Sequence, residues 1–179
     1  MHHMQKIWGE TIHCSPSPDL PTDRVYEGLP FTYTGIDFAG PLHLNSGSPE
    51  NRSKAYCCLF TCASTRAVHL ELTESLAVTS FLQAFQRFVS RRGLPAKLLT
   101  DNAKTFKCVS VDVMKISRSS EVKQYLANRQ VDWQFIVEGA PWLGGFWERL
   151  VLSVKRCLKK SVGRSLSTFE ELRTLVVEI

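Results

Sequence analysis

The stretch Tyr33-Thr34-Gly35-Ile36-Asp37-Phe38-Ala39-Gly40-Pro41 carries the pattern from which the fold can be inferred. Ile36 and Phe38 alternate with Asp37, which predicts a strand from Thr32 to Phe38 with its acid on the face opposite the apolar side chains. A carboxylate inside an apolar strand is costly unless it is paired. Asp37 is therefore a candidate functional residue on its local sequence alone.

Two further acids stand at comparable positions. Asp101 follows the short apolar run Leu98-Leu99-Thr100, and Glu148 is predicted to lie in the first turn of a long basic helix. Acids at strand and helix ends can converge on one point, and converged carboxylates repel each other unless a cation lies between them. Hard oxygen ligands favour Mg²⁺ or Mn²⁺, and a pair of such ions is a device for phosphoryl transfer.

Length and composition bound the other possibilities. A chain of 179 residues with 44% hydrophobic residues suits one domain with a real core. The formal net charge of +5 weakly favours a polyanionic partner. No apolar stretch reaches the roughly 18 residues of a membrane span, and no secretory leader is visible, so we expect no membrane association and six reduced cysteines.

Periodicity and breakers predict the order of elements. Residues 1–31 contain four prolines and are predicted to be an N-terminal arm or linker, followed by a core over 32–179. The core is predicted to contain a hairpin (Lys54–Ala63 and Arg66–Leu72), a helix around Phe81–Arg92, strands at Lys97–Thr100 and Val131–Phe135, a helix from about Gly145 to Lys160, and a last helix capped by Ser167 or Thr168. This order predicts an α/β fold in which helices cover a mixed sheet.

Five phrases in sequence order resemble one known family. They are Gly35 to Pro41, Thr61 to Glu71, Arg91 to Pro95, Thr100 to Phe106 and Ala140 to Val151. Over about Leu20–Ile179 the chain resembles the integrase catalytic core of BEL/Pao-type LTR retrotransposons, within the retroviral integrase superfamily. The resemblance implies a ribonuclease-H-like fold with a five-stranded mixed sheet. It also implies a polynucleotidyl transferase that processes and joins DNA ends, a homo-oligomer, and action in the nucleus after a cytoplasmic stage.

The same resemblance assigns roles to particular residues. Asp37, Asp101 and Glu148 match the acidic triad, so they are the expected catalytic residues and the ligands of two Mg²⁺ (or Mn²⁺) ions. The candidate DNA contacts are Asn102, Lys104, Arg149, Lys155, Arg156 and Lys159; of these Lys155 and Lys159 share a helix face. The chain lacks the flanking modules of a complete integrase and is expected to be a polyprotein fragment truncated at its C-terminus.

Simpler interpretations remain open for each feature. An acid at a helix start is often only a dipole partner, an Asp-Asn pair after a strand is often a turn or cap, and a basic helix face is often only solvated. Arg91 and Arg92 are expected to be helix-end charges rather than DNA contacts. The alternative function is a catalytically degenerate or domesticated core that binds nucleic acid or a protein partner without cutting.

The cysteines invite a zinc interpretation that their spacing does not favour. Cys57, Cys58 and Cys62, with His69 nearby, contain no CxxC pair, so buried thiols are expected and no zinc site is predicted. His69 and Glu71 are expected on the strand face opposite Val68 and Leu70, either exposed or covered by a helix.

Overall fold

The computed structural model describes residues 28–44, 53–100, 115–135, 141–162 and 168–178; at 135, 141–148 and 161–162 it describes the backbone only. Within these residues the sheet has five strands: β1 (Tyr33–Leu44), β2 (Ser53–Cys62), β3 (Val68–Thr73), β4 (Lys97–Thr100) and β5 (Asp132–Phe135). Their spatial order is β3-β2-β1-β4-β5. The β3–β2 and β2–β1 pairs are antiparallel, and the β1–β4 and β4–β5 pairs are parallel. The five-stranded mixed sheet predicted from the sequence is confirmed.

Within the described residues, both faces of this sheet are covered by the helices α1 (Val78–Arg92), α2 (Ser120–Ala127), α3 (Pro141–Val162) and α4 (Phe169–Glu178). On one face Ile36, Phe38 and Phe60 pack beneath α1 and α2. On the other face Ala39 and Leu59 pack beneath α3 and α4. None of the described helices is long and apolar enough to cross a bilayer.

The face beneath α1 is rich in aromatic rings. Phe88 of α1 stacks on Phe60 of β2 with ring centroids 4.2 Å apart and ring planes within 5°. Phe31 meets Phe88 edge-on at 5.5 Å, so the segment that enters β1 is tied to the same cluster. Such pairs add to the stabilisation that burial of their area already provides.

Strand β1 is longer than the sequence pattern predicted. It continues past Phe38 to Leu44, and the β1–β2 register shifts between Ala39 and Leu42, around Gly40-Pro41. Proline cannot donate to a ladder, which explains an irregularity at that place. Gly40 has φ +138°, and an added Cβ would lie 3.0 Å from Cδ1 of the Tyr56 ring. A side chain at position 40 is therefore excluded by both backbone angle and space.

Helix α3 begins earlier than predicted, and this changes the position of Glu148. It starts at Pro141 rather than near Gly145 and runs through Gly144-Gly145. Proline suits the first helical position, where its missing N–H is not needed, and packing of the helix overrides the weak propensity of two glycines. Glu148 thus lies seven residues into α3, about two turns from its start. Its predicted place in the first turn is wrong.

Helix α4 starts as predicted. The backbone N–H of Glu171 donates to Oγ1 of Thr168 at 3.3 Å, and the N–H of Thr168 donates to Oε2 of Glu171 at 2.8 Å. This reciprocal capping box satisfies two donors that the first turn leaves without helical partners.

Candidate functional site

Asp37 lies on β1, the central strand of the sheet. Ile36 and Phe38 belong to the core beneath α1, whereas Ala39 belongs to the core beneath α3, so alternation puts Asp37 on the α3 face. This matches the face that the sequence predicted. The residue is half-buried, and its Oδ1 accepts the backbone N–H of Phe38 at 2.7 Å. The short local bond orients the carboxylate.

The end of β4 lies beside Asp37. In the parallel register Ile36 is the Cα partner of Thr100. Asp37 is bonded to Ile36, and Asp101 is bonded to Thr100. Adjacent strands lie about 4.8 Å apart. The strands β1 and β4 therefore run side by side up to Ile36 and Thr100, the residues that precede the candidate aspartates. Asp101, Asn102 and Lys104 themselves lie outside the described residues.

The third acid of the candidate triad belongs to α3. Val151, Val154 and Leu158 of this helix pack into the core that also contains Ala39 of β1. Glu148 stands three residues, about one helical turn, before Val151; its side chain is not described. The helix dipole acts within the first turn only. The interpretation of Glu148 as a dipole partner therefore does not hold.

The basic residues of α3 divide into exposed and half-buried ones. Arg149, Arg156 and Lys159 are exposed, while Lys155 is half-buried. Arg149 and Arg156 are seven residues apart and share one face. Because Val151, Val154 and Leu158 are buried on the other side of the helix, that face is turned to solvent. DNA contact by these residues stays a prediction.

A buried charge network on β3 is the main feature that the sequence interpretation missed. Glu71 is 5% exposed; it accepts hydrogen bonds from His69 Nε2 at 2.9 Å, from Arg87 Nε at 2.6 Å, and from Arg91. Nε of Arg92 donates to Nδ1 of His69 at 3.3 Å. A neutral His69 satisfies both of its bonds only with its proton on Nε2. The end of α1 thus covers this strand face. Arg91 and Arg92, both in the last turn of α1, contact β3, and their assignment as helix-end charges rather than DNA contacts stays a prediction.

The network sets the ionisation of Glu71. Burial by itself raises the pKa of a carboxyl. Here the hydrogen bond from His69 and the charges of Arg87 and Arg91 outweigh burial and lower the pKa of Glu71 below its ordinary value. The sequence did contain a signal: His69 and Glu71 alternate on β3, while Arg87 and Arg91 stand four apart on α1.

The prediction that the strand cysteines are buried thiols is confirmed for Cys57, Cys58 and Cys62. Burial raises the pKa of Cys57 to about 12. At Cys62 burial also acts upward, but hydrogen bonds with Ser64, Thr65 and the N–H of Phe31 outweigh it and lower the pKa to about 7. Cys58 and Cys62 lie on the α1 face and Cys57 on the α3 face, so the three do not share one side of the sheet.

Among the described strands β3 is the outermost on its side of the sheet, and a groove of about 830 Å³ runs along its outer edge. Every residue from Val68 to Glu74 lines it, although successive strand residues face opposite ways, so the groove follows the unpaired edge itself. One wall carries the arginines of α1, and the other carries apolar residues of α3 and α4, including Leu150, Phe169 and Val177. Asp37, the triad member whose side chain is described, is not among the lining residues.

The donor chemistry of the triad fits a hard divalent ion. Three carboxylates offer only oxygen ligands, which Mg²⁺ and Mn²⁺ prefer. Among the described side chains no group of three His, Cys, Asp or Glu residues could hold a metal. Asp37 is the one triad member whose side chain is described; the side chains of Asp101 and Glu148 lie outside that search.

Comparisons of the sequence with known proteins give no family: no protein-family model and no curated protein matches the chain. Comparisons of the structure do find relatives. The chain is similar to a chain of the simian T-cell lymphotropic virus intasome in complex with PP2A regulatory subunit B56 gamma. The TM-score is 0.61 at 15% identity, over 92% of this chain and 54% of that one. This chain therefore spans about half the length of that relative.

Two isolated catalytic cores are similar over most of both chains. The HTLV-2 integrase catalytic core domain in complex with magnesium, in its trimeric form, matches with a TM-score of 0.54 at 16% identity, over 84% of this chain and 82% of that one. The catalytic core domain of BIV integrase matches with a TM-score of 0.57 at 13% identity, over 82% and 81%. At these identities the likeness shows the fold. The chain has the ribonuclease-H-like fold of retroviral integrase catalytic cores.

Proposed function

We propose that this chain is the catalytic core of a DNA integrase of the BEL/Pao type, a metal-dependent polynucleotidyl transferase that processes and joins DNA ends. The observation that carries the proposal is the Ile36–Thr100 pairing, because each of these two residues is followed in the sequence by a candidate catalytic aspartate. The helix containing Glu148 packs against the same central strand. The likeness to integrase cores, one of them in complex with magnesium, supports the same function.

Each acid has a defined task in this proposal. Asp37, on the central strand, would hold both divalent ions, and Asp101 and Glu148 would each supply a further carboxylate to one of them. When bound, the ions activate the attacking water or 3′-hydroxyl and stabilise the leaving oxygen. If the alternation of β4 continued by one residue, position 101 would lie on the face of Leu99, which is also the face of Asp37. The carboxylates would then share one side of the sheet.

DNA is the proposed substrate, and the basic residues of α3 are its proposed binding surface. Arg149, Arg156, Lys159 and the half-buried Lys155 lie one to eleven residues beyond Glu148, on the same helix. Phosphates held there would follow the helix toward the acids. Asn102 and Lys104 stand one and three residues after Asp101 and are proposed to position the strand that is cut.

Self-association is part of the proposal. Within the described part of the chain the edge of β3 along this groove has no partner strand, and the groove includes Val177, which is 81% exposed. An open edge and exposed apolar residues favour a protein partner, and a second copy of this chain is the proposed one. The HTLV-2 integrase catalytic core domain is described in a trimeric form and in a dimeric form. We further propose that residues 1–31 form an arm before the core and that integration takes place in the nucleus after a cytoplasmic stage.

Nicking and strand joining of a labelled DNA duplex, with Mn²⁺ or Mg²⁺, test the proposal. We expect Asp37→Asn, Asp101→Asn and Glu148→Gln each to lower the rate by about 100-fold or more, because each removes a ligand of the reacting ions. The matched control is Asp132→Asn, since Asp132 is exposed at the start of β5 and its described contact is to Gln134. Wild-type activity in the triad variants would refute the proposal. Metal-independent DNA binding without any cleavage by the wild type would instead favour the degenerate binding module.

A further inference from the structure

We infer that Thr100 and Trp133 are positioning residues of the metal site: their hydrogen bond holds the end of β4 from the far side of the sheet. This inference rests on the proposed function. The indole Nε1–H of Trp133 donates to the hydroxyl of Thr100 at 2.8 Å. Thr100 is the last residue of β4, 3% exposed, and is followed by the candidate ligand Asp101.

The strand geometry explains how this bond is made. In the β4–β5 register Trp133 is the partner of Leu98, and Phe135 is the partner of Thr100. The indole therefore reaches diagonally, two residues along β4, to its terminal residue. Diagonal neighbours are within reach of an aromatic side chain. A shorter aliphatic residue at 133 would not span this distance and could not donate.

The same indole also connects Thr100 to the strand of Asp37. The ring of Trp133 lies 5.3 Å from that of Phe81 on α1, and Phe81 lies 6.4 Å from Phe38. Phe38 follows Asp37 and donates its N–H to the Asp37 carboxylate. Thr100, which precedes Asp101, and Phe38, which follows Asp37, are thus held by one aromatic layer. This layer lies on the face of the sheet opposite Asp37.

A metal pair needs this kind of support. Two like charges on neighbouring strands repel each other before a cation arrives, and β4 and β5 have only four residues each with which to resist displacement. The β1–β4 register ends at the Ile36–Thr100 pair. A bond to the Thr100 side chain limits how that residue can rotate, and Thr100 is the residue that precedes the candidate ligand Asp101. Partners of this kind, one step behind the ligands, tune metal affinity strongly.

Mn²⁺ binding to the whole chain, measured by electron paramagnetic resonance or calorimetry, separates a positioning role from a merely stabilising one. Thr100→Val keeps the shape but removes the hydroxyl, Trp133→Phe keeps a ring but removes the donor, and Thr100→Ser keeps the hydroxyl. We expect the first two to weaken Mn²⁺ binding about tenfold and Thr100→Ser to bind as the wild type does. The double variant should be no weaker than the weaker single one, because both remove the same bond.

The control is Thr34→Val. Thr34 is as buried as Thr100 and donates to the carbonyl of Phe31 at 2.6 Å, but it lies at the other end of the β1–β4 pair. The Thr34→Val substitution should lower the free energy of unfolding measured in urea without changing the affinity for Mn²⁺.

Two results would overturn the inference. One is a Thr100→Val protein that binds Mn²⁺ as Thr34→Val does; if Thr100→Val does not fold, Trp133→Phe decides in the same way. The other is a Thr100→Ser protein as weak as Thr100→Val. The parent proposal has its own test, because Asp37→Asn must abolish Mn²⁺ binding. If it does not, the metal site itself is refuted.

Discussion

Replacing Glu71 by glutamine tests whether the β3 charge network stabilises the fold. In the wild type Oε1 accepts from His69 at 2.9 Å and from Arg91, and Oε2 accepts from Arg87 at 2.6 Å. Glutamine keeps one acceptor oxygen and turns the other into an NH₂ group, which cannot accept from a guanidinium. If the oxygen stays on the His69 side, the bond to Arg87 is lost and two donors face each other.

The structure sets the size of the effect. A hydrogen bond to a charged group contributes about 1.5–3 kcal/mol. The Arg87 side chain is only 34% exposed, so the change leaves its guanidinium partly buried without its acceptor. Arg91, which is 54% exposed, can turn to water. Removing one partner of a fully buried pair costs about 3–5 kcal/mol. We therefore expect the free energy of unfolding to fall by about 3 kcal/mol, at the lower end of that range. This corresponds to a Tm lower by roughly 6–12 °C for a chain of this size.

Urea denaturation across a pH series is the assay. The folded-state pKa of Glu71 is lowered, so its stabilisation is fully present above the unfolded pKa of about 4.3 and is lost as the pH falls through the folded value. The gap between wild type and Glu71→Gln should therefore be constant near neutral pH and shrink below about pH 4.3. Glu170→Gln is the control, because Glu170 is 78% exposed and its carboxylate lies 3.7 Å from the guanidinium of Arg173. A gap that is absent at neutral pH, or that grows on acidification, would refute the reasoning.

Three other predictions follow from the described residues. Mn²⁺ at ten times its Kd should stabilise the wild type by about 1.4 kcal/mol and should not stabilise Asp37→Asn, as read from thermal melts with and without chelator; equal stabilisation of both proteins would contradict the metal site. Changing Arg156 and Lys159 together to glutamine should reduce the slope of log Kd for duplex DNA against log salt by up to about 1.8. The control Lys123→Gln, at an exposed lysine of α2, should leave the slope unchanged. Equal slopes in the wild type and both variants would exclude DNA binding by Arg156 and Lys159. The thiol of Cys62 should ionise near pH 7, and its hydrogen-bonded thiolate should make the wild type more stable relative to Cys62→Ser as the pH rises through about 7. The ultraviolet absorbance of thiolate and parallel urea melts of both proteins measure this. A Cys62 that stays protonated well above that pH would contradict the prediction.

Local chemistry determined much of the architecture. The alternation of Ile36 and Phe38 with Asp37 placed the acid on its correct face, and the four-residue strand at Lys97–Thr100 was predicted with its observed ends. The cap of the last helix was predicted at Ser167 or Thr168, and the structure shows Thr168 in that role. Each of these depends on neighbours within a few positions along the chain, because strand period and capping geometry are local properties. The mixed five-stranded sheet follows from their order.

Only the tertiary structure decided the features that depend on distant partners. The start of α3 at Pro141 was missed because Gly144-Gly145 weakens the local helical signal, while packing of Val151 and Leu158 on the sheet supplies the stability that propensity lacks. The burial of Glu71 was undecided in the sequence, since its two arginine partners lie 16 and 20 residues away on another element. The bond from Trp133 to Thr100 spans 33 residues. A sequence names the donors and acceptors of such pairs, but only folding brings them within bonding distance.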